Sequence, residues 1–523
     1  MNFRFAFCAA IMVVLSIFLS CTIFISQKMK LALILIFAGV FLVLLICFAF
    51  SKKKILIHLL AIILIGTIPV VSIYFKSNEL NRNSLMIAEK VTFSGKISSI
   101  KENLDNDAIF INLSNVEIIE NEEAKNFRGK VYLRVIANGV DTSKLELGRY
   151  LTINNAKLDC LALVDGFDSK DRSFLSRGIN ATSYAFAYNM KIEDKVSLNF
   201  RDKVKSKVFE VFNKTDTFFT SVGYAMIFGE SSVLDESVYD VFKGSGIAHL
   251  LAVSGFHISL IVSFLVFILN KLKANKYLKI LIVSFILLIY SYFCSFSVSV
   301  IRASIMAILL LYASSRNKEY DKLSALSLAL IFILSLAPMQ MFNISFIFSF
   351  ISILSIILLS PVIERFFLKF LNESLSSSIS VSLSVCLGLL VFQLYYFGSY
   401  PILSLISNII TMPIVGILFI YLLISVLIGS CFGFAVTLIN AFGSCMKVVI
   451  QFNSWITNNG LFISCGNFGA IALLLSILIM FMLSDFVFIK KKIKLSVAAV
   501  MLTALILVII WAKWTRQKYM CLI

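Results

Sequence analysis

GSGIAHLLAVSGFHISLI, residues Gly244–Ile261, decides how the rest of the chain is read. It opens an apolar run that reaches Leu269, long enough to cross a bilayer. Yet it holds three glycines (Gly244, Gly246, Gly255) and two of the three histidines in the protein, His249 and His257. A plain lipid-facing helix needs neither. Glycine lets a helix break or another backbone approach closely, and ionisable groups at membrane depth face a cavity or another helix. On an unbroken helix the two imidazoles would lie about 80° apart, two turns along and on nearly one face. Two accounts stay open from these residues: histidines satisfied by helix–helix hydrogen bonds, or histidines on a pathway through the membrane.

Working outward, composition sets the class. Of 523 residues, 59% are hydrophobic and 15% charged, the mean hydropathy is +0.94, and apolar runs of about 17–25 residues recur. The expected fold is a polytopic α-helical membrane protein of about thirteen spans with an inserted small β-barrel, OB-like domain. Three spans come first (Phe5–Ser26, Leu31–Phe50, Ile55–Phe75), and ten follow the polar region, from Ile247–Leu269 to Leu495–Trp511. The first run is too long for a signal-peptide core and is expected to stay as an anchor. The expected divisions are 1–76 (three spans), 77–200 (β domain), 201–246 (interfacial helices), 247–511 (the main membrane domain) and 512–523 (a short tail).

The net charge of +18 sits largely in short loops, as the positive-inside rule requires, so by itself it is a weak sign of a polyanionic partner. SKKK (Ser51–Lys54) is assigned inside, which sends residues 77–200 outside, to the periplasm of a cell-membrane protein. One assignment also keeps four later basic loops inside: Lys271–Lys279, Arg316–Lys322, Pro361–Phe370 and Ile489–Lys494. It leaves the C-terminus outside.

Residues 91–100, 108–116, 129–138 and 150–158 alternate apolar with polar between Asn, Asp and Gly clusters, which reads as four to six short strands. An acidic patch at Glu117–Glu123 adjoins Lys125, Arg128, Lys130 and Arg134. That basic set is either a nucleic-acid face or an ordinary charge-mixed surface. Between Arg201 and Lys243, short apolar and amphipathic stretches are expected to lie along the membrane interface, with Ser232 capping a helix.

In the second half Arg302 stands inside an apolar run, where its outward position would let it snorkel. It would suit a phosphate at the mouth of a pathway, or pair structurally with carbonyls or a carboxylate. Asn408 lies between Pro401 and Pro413, a pattern for a broken or re-entrant helix, or for a simple proline kink steadied by the amide. The sequence carries no P-loop motif, few acidic residues within the later spans, too few histidines for a zinc hydrolase site and no persuasive Ser/His/Asp set. Ten cysteines show no paired spacing. No catalytic residue, metal or cofactor is therefore assigned, and the expectation is a protein that is not an enzyme.

GSGIAHLLAVSGFHISLI closely resembles the signature of the ComEC family of competence proteins, in which Gly246, His249, Leu250, Leu251, Ala252, Ser254, Gly255 and His257 match. Further elements follow in the family's order: Arg302, Ala303 and Met306; Pro338, Phe342, Ser345 and Phe346; Pro401, Asn408 and Pro413. Before them, Phe167, Asp168, Leu175, Gly178 and Ile179 resemble the element that closes the family's OB-like domain. The resemblance implies an inner-membrane channel that passes single-stranded transforming DNA into the cytoplasm, with the OB-like domain on the periplasmic side. It implies as partners single-stranded DNA, membrane lipid, a periplasmic DNA receptor, a separate nuclease, and cytoplasmic ssDNA-binding or helicase proteins; formation of a homo-oligomer stays open. Many members carry a C-terminal metallo-β-lactamase-like domain, and this chain is expected to be a form without it. Two other readings remain: a small-solute or ion transporter, which the scarcity of intramembrane carboxylates disfavours, and a non-conducting scaffold of the uptake machinery.

Overall fold

A computed structural model describes residues 5–22, 34, 36, 38–40, 54–85, 90–103, 108–120, 123–136, 145–161, 169–215, 217–432, 434–464, 471–486, 496–497 and 499–503. Most of the spans expected at Leu31–Phe50 and Leu495–Trp511 lies outside the described residues, as do Phe167, Asp168, the loop Ile489–Lys494 and the tail 512–523. The chain divides into two compact units, Met1–Lys207 with Ser327–Phe346, and Val208–Leu326 with Ile347–Ile523. Among the described residues seven helices are long and apolar enough to cross a membrane, and five shorter apolar helices accompany them. The protein is a polytopic, mostly helical membrane protein with a separate curled sheet.

In the first unit, α1 (Phe5–Thr22) packs along α2 (Lys54–Leu85), with Val13, Ile17, Val70 and Ile73 fully enclosed. Buried hydroxyls there bond back to the helix itself, Ser16 Oγ to the Val13 carbonyl at 2.8 Å and Ser20 Oγ to the Ser16 carbonyl at 2.7 Å. That is the economical way to hold a serine where water is absent. Past Phe75 the same helix turns polar, with Lys76, Glu79 and Arg82.

The sheet follows: β1 (Val91–Asn103), β2 (Ala108–Glu120), β3 (Glu123–Phe127), β4 (Lys130–Ile136), β5 (Arg149–Ala156) and β6 (Leu158–Cys160), then α3 (Ser169–Ser176), β7 (Ile179–Phe186) and β8 (Met190–Val196). The hydrogen-bonded order is β6-β7-β4-β2-β1-β5-β8, with β3 on β2. Only β4 and β7 run parallel. A single residue, Lys157, separates β5, which pairs with β1, from β6, which pairs with β7. One nearly continuous stretch thus ties both sides of the path, and the sheet curls around Phe93, Ile111, Leu113, Leu133, Leu151 and Ile153, all fully enclosed. Eight strands form where four to six are expected. The additions are short (β3, β6) or conceal their pattern. β7 turns Asn180 and Ser183 inward, where an apolar alternation would show Val or Ile. Ser183 Oγ donates there to the Lys157 carbonyl (2.7 Å), and Asn180 Nδ2 to the Arg128 carbonyl (2.6 Å) and to Glu79 Oε1 (2.9 Å).

The chain continues through α4 (Phe200–Asn213), α5 (Thr217–Phe228), α6 (Glu236–Gly244), α7 (Gly255–Lys271), α8 (Lys276–Phe293), α9 (Val298–Ser315), α10 (Lys322–Leu336) and α11 (Ile344–Phe367). Next come α12 (Glu373–Phe397), β9 (Ser399–Pro401), α13 (Ser404–Phe432), α14 (Ala435–Asn459), β10 (Phe462–Ser464, paired with β9) and α15 (Ile471–Leu483). Asparagines start two of these helices as N-caps: Asn275 Oδ1 accepts from the Leu278 N–H and Asn372 Oδ1 from the Leu375 N–H.

Three stretches are sharpened here. α5 packs in the core of the second unit, with Val222, Ala225 and Met226 fully enclosed beside Phe242, Phe419 and Phe442. The helix at Glu236 is capped at Asp235, and Ser232 belongs to a separate short turn. α13 runs unbroken through Pro413, and the interruption, at Ile402–Leu403, directly follows Pro401 and precedes Asn408. Proline removes one N–H from a helix, a loss the other bonds of a long apolar helix survive.

Alternation along β4 turns Leu133 inward and Tyr132 and Arg134 outward. Replacing Phe93 with Ala should therefore cost about 3–5 kcal/mol, whereas Tyr184→Ala on the outward face should stay within about 0.5 kcal/mol of zero. Chemical unfolding of the purified chain in detergent, followed on the sheet signal, measures both.

Candidate functional site

The opening stretch is a built break between two helices. α6 ends in a Schellman arrangement: the Ile247 N–H reaches the Phe242 carbonyl (2.9 Å) and the Gly246 N–H the Lys243 carbonyl (3.1 Å). This closure needs a left-handed residue, and Gly246 supplies it with φ +79°. A short turn over Ala248–Leu250 follows, then the extended Ser254, and α7 starts at Gly255. The two histidines therefore do not share a helix face. His249 is exposed in the turn, while His257 is fully enclosed in the first turn of α7.

Ser254 and His257 form a capping box in which imidazole takes the place usually held by Glu or Gln. The Ser254 N–H donates to His257 Nδ1 at 3.1 Å, and the Ser254 hydroxyl lies 3.3 Å from the same nitrogen. With Nδ1 accepting, a neutral ring carries its proton on Nε2. That atom is enclosed without a hydrogen-bond partner among the described residues, and the ring packs on Phe419 of α13 at 4.4 Å.

Arg302, in the first turns of α9, is 3% exposed. Its guanidinium does not snorkel outward. Nη1 donates to the Ser349 carbonyl of α11, and Nη2 lies against Gly255, where any Cβ would collide with it. No carboxylate pairs with it among the described residues, and Nε has no hydrogen-bond partner there. Arg302 thus joins α7, α9 and α11 at one point, with a guanidinium beside the N-terminus of α7.

The proline element meets the same stretch. A Cβ on Gly246 would collide with Ser404 and come within 3.3 Å of Pro401 Cγ. Ser404 Oγ donates to Tyr400 Oη at 3.1 Å, and Asn408 gathers with Ser404 and Tyr400 around Cys386. α13 therefore touches the stretch twice, through Ser404 at Gly246 and through Phe419 at His257. Pro413 is exposed and joins neither contact. Sequence reasoning missed the knot beside it, in which the fully enclosed Asn453 accepts from Ser407 (2.5 Å) and donates to Thr411 (3.1 Å). An amide inside the otherwise apolar α14 was the available signal.

In the sheet unit the expected basic residues part company. Arg134 faces outward between Phe110 on β2 and Tyr184 on β7, which register directly opposite it on either side. Its guanidinium stands 5.8 Å over the Phe110 ring, which stacks on Tyr132 at 5.7 Å and 16°. Tyr132 leans on Phe174 (5.0 Å), and Arg177 covers Phe174 at 5.4 Å. The row continues into exposed rings, with Tyr184 at 62% and Phe186 stacked on Tyr188 at 5.5 Å. Burial pushes the Tyr132 phenol upward, opposed by the positive charges of Arg177 and Arg134. Arg128 stands apart at the β3–β4 turn, where its carbonyl accepts from Asn83 (2.8 Å) and Asn180. Lys130, the first residue of β4, lies beside a cavity. The aromatic row was legible in principle, since the rings occupy outward positions of strands whose alternation is plain.

Against known proteins, the family described as "Competence protein" matches residues 226–492, which contain the whole helical site. ComE operon protein 3 of Bacillus subtilis is 24% identical over 219 residues, covering 41% of this chain and 28% of that protein. Recombination protein 2 of Haemophilus influenzae is 25% identical over 189 residues, covering 35% of this chain and 23% of that protein. The chain thus matches about a quarter of the length of these curated relatives. No solved structure matches it.

The contact between Gly255 and Arg302 can be measured as a coupling. Gly255→Ala should destabilise the protein by about 1–3 kcal/mol through overpacking. In an Arg302→Ala background the same change should cost less than about 0.5 kcal/mol, the difference being the interaction term of a double-mutant cycle. Denaturant unfolding of the four variants in detergent reads it.

Proposed function

The chain belongs to the competence protein family, and we propose that it passes single-stranded transforming DNA inward across the cytoplasmic membrane during natural competence. The observation that carries this reading is the meeting of two positive features at the broken stretch. The N-terminus of α7 bears a partial positive charge and the buried Arg302 a full one, with a single carbonyl and no carboxylate as the guanidinium's partner among the described residues. Two like charges brought together inside a membrane protein raise the energy of the resting state, and a passing phosphate relieves it.

The sheet supplies a second support. Phe110, Tyr132, Phe174 and Tyr184, interleaved with Arg134 and Arg177, have the composition of a sequence-tolerant stacking platform for unpaired bases. In this reading the sheet is an OB-like barrel, because β1, β2 and β4 form a meander, β4 pairs parallel to β7, and the β5–β6 stretch bridges β7 to β1. The barrel stands on the outer side, as the positive loops direct. The reading keeps thirteen crossings: the seven long helices, α1, α7, α10 and α15 among the shorter ones, and the two runs outside the described residues. It assigns the chain no catalytic step and no cofactor, and gives strand removal and energy supply to separate proteins.

A transformation assay that separates duplex arrival outside the membrane from single-strand entry tests the proposal. Deletion should leave arrival intact and abolish entry; labelled DNA that still reaches the cytoplasm overturns it. Arg302→Ala should reduce entry more than it reduces the amount of inserted protein. On the purified chain, Tyr132→Ala or Tyr184→Ala should each weaken oligothymidylate binding by about 1–3 kcal/mol if a base stacks there.

A further inference from the structure

We propose that the cavity beside α2 in the first unit is a binding site for the headgroup of an anionic phospholipid. This inference does not rest on DNA passage. The cavity has a volume of about 360 Å³, and its lining includes Ser72, Lys76, Lys130, Arg177, Pro338 and Gln340.

Charge is the first argument. Three cations line the cavity, and among them only Lys76 has a carboxylate partner among the described residues, Glu79 at 3.0 Å. Arg177 is held by neutral groups, the carbonyl of Ser173 at 3.2 Å and its hydroxyl at 2.9 Å, which fix the guanidinium without cancelling its charge. Burial and the nearby Arg201 lower the pKa of the Lys130 ammonium.

Depth is the second argument. Ser72 and Lys76 stand where the apolar run of α2 gives way to its polar turns, and Pro338 and Gln340 follow directly on the apolar helix α10. Two apolar helices that end at one basic cavity set it at the level of lipid headgroups, where such pockets take acidic lipids. The flanks are apolar and open: Phe75 is 66% and Leu336 71% exposed, which suits acyl chains below a bound headgroup. A nucleic-acid strand would instead require ring faces, and the lining of the cavity contains no aromatic side chain.

Native mass spectrometry of the full chain, delipidated in detergent and titrated with dioleoyl phosphatidylglycerol or dioleoyl phosphatidylcholine, tests the site. Phosphatidylglycerol should bind the more tightly, and Lys130→Gln and Lys76→Gln should each cut that preference about fivefold. Unchanged melting without lipid shows that each variant is folded, and if one fails to fold the other carries the test. Equal binding of the two lipids overturns the proposal, as does a preference that neither variant moves. Displacement of phosphatidylglycerol by millimolar inorganic phosphate would make this a free-phosphate site. Displacement by oligothymidylate would make it part of the nucleic-acid face. Either result overturns the lipid assignment.

Discussion

Backbone that leaves the helix inside a membrane protein must find its hydrogen bonds within the protein, and the stretch between α6 and α7 shows how the helical unit does this. Between the end of α6 and the start of α7, the N–H groups of Ser245, Gly246, Ile247, Leu250, Leu251 and Ser254 all donate to nearby acceptors. Each left unmet in a lipid-like interior would cost several kcal/mol. The solution is local. A left-handed glycine closes α6, a short turn carries the chain across, and a histidine placed three residues into α7 accepts the last free N–H. Ile247, Leu250 and Leu251 bury their side chains in the same core that receives Phe242, Phe419 and Phe442. The break is therefore a packed feature, as fixed as the helices on either side.

That local closure constrains what packs against it. Because Gly246 has no Cβ, α13 approaches through Ser404 and Pro401; because Gly255 has none, Arg302 lies against the first turn of α7. Side chains at those two positions would push α13 and α9 away, and Arg302 would lose the pocket that encloses it. The sheet shows the same economy in another form. Lys157 separates the two pairings of a single stretch, and the buried Ser183 and Asn180 donate to the carbonyls at the bend (Lys157) and at the turn (Arg128), the latter shared with Asn83.

The sequence made the class and much of the framework legible, since apolar runs and alternating strands are periodic signals carried by each segment alone. The start of α9 at Val298 and the strands at Val91, Ala108, Lys130 and Arg149 fall within a few residues of the expected places. What stayed hidden has a common cause. The partner of Arg302 is a main-chain carbonyl, which has no identity in a sequence. The contacts of Gly246 with Ser404 and of His257 with Phe419 join distant segments through shape alone. β7 was concealed because its enclosed positions include the small Ala181 and Ala185 and the polar Asn180 and Ser183, which break the Val/Ile alternation that marks a strand. The shared face that an unbroken helix would give the two histidines is removed because Gly246 ends the helix between Lys243 and His249. One local signal was passed over: Ser254–Gly255–Phe256–His257 has the spacing of a capping box and marks the start of α7 directly.

Stability and function pull apart at Arg302. A guanidinium removed from water needs several hydrogen bonds or a counter-charge to recover its hydration, and here it has the Ser349 carbonyl, with the positive end of α7 close by. A methionine, the nearest apolar match in reach, would fill the space beside Gly255 without that penalty. On the proposed reading, that cost is offset when negative charge comes near. His257 is similar: its Nδ1 is committed to the backbone and its Nε2 has no hydrogen-bond partner among the described residues. Both unmet groups are hydrogen-bond donors when the histidine is neutral, so whatever satisfies them must be an acceptor. In a unit where the later spans hold few carboxylates, that acceptor is readily supplied from outside the protein. A phosphodiester backbone, negative at every step and indifferent to base identity, meets the requirement better than a cation or a neutral solute.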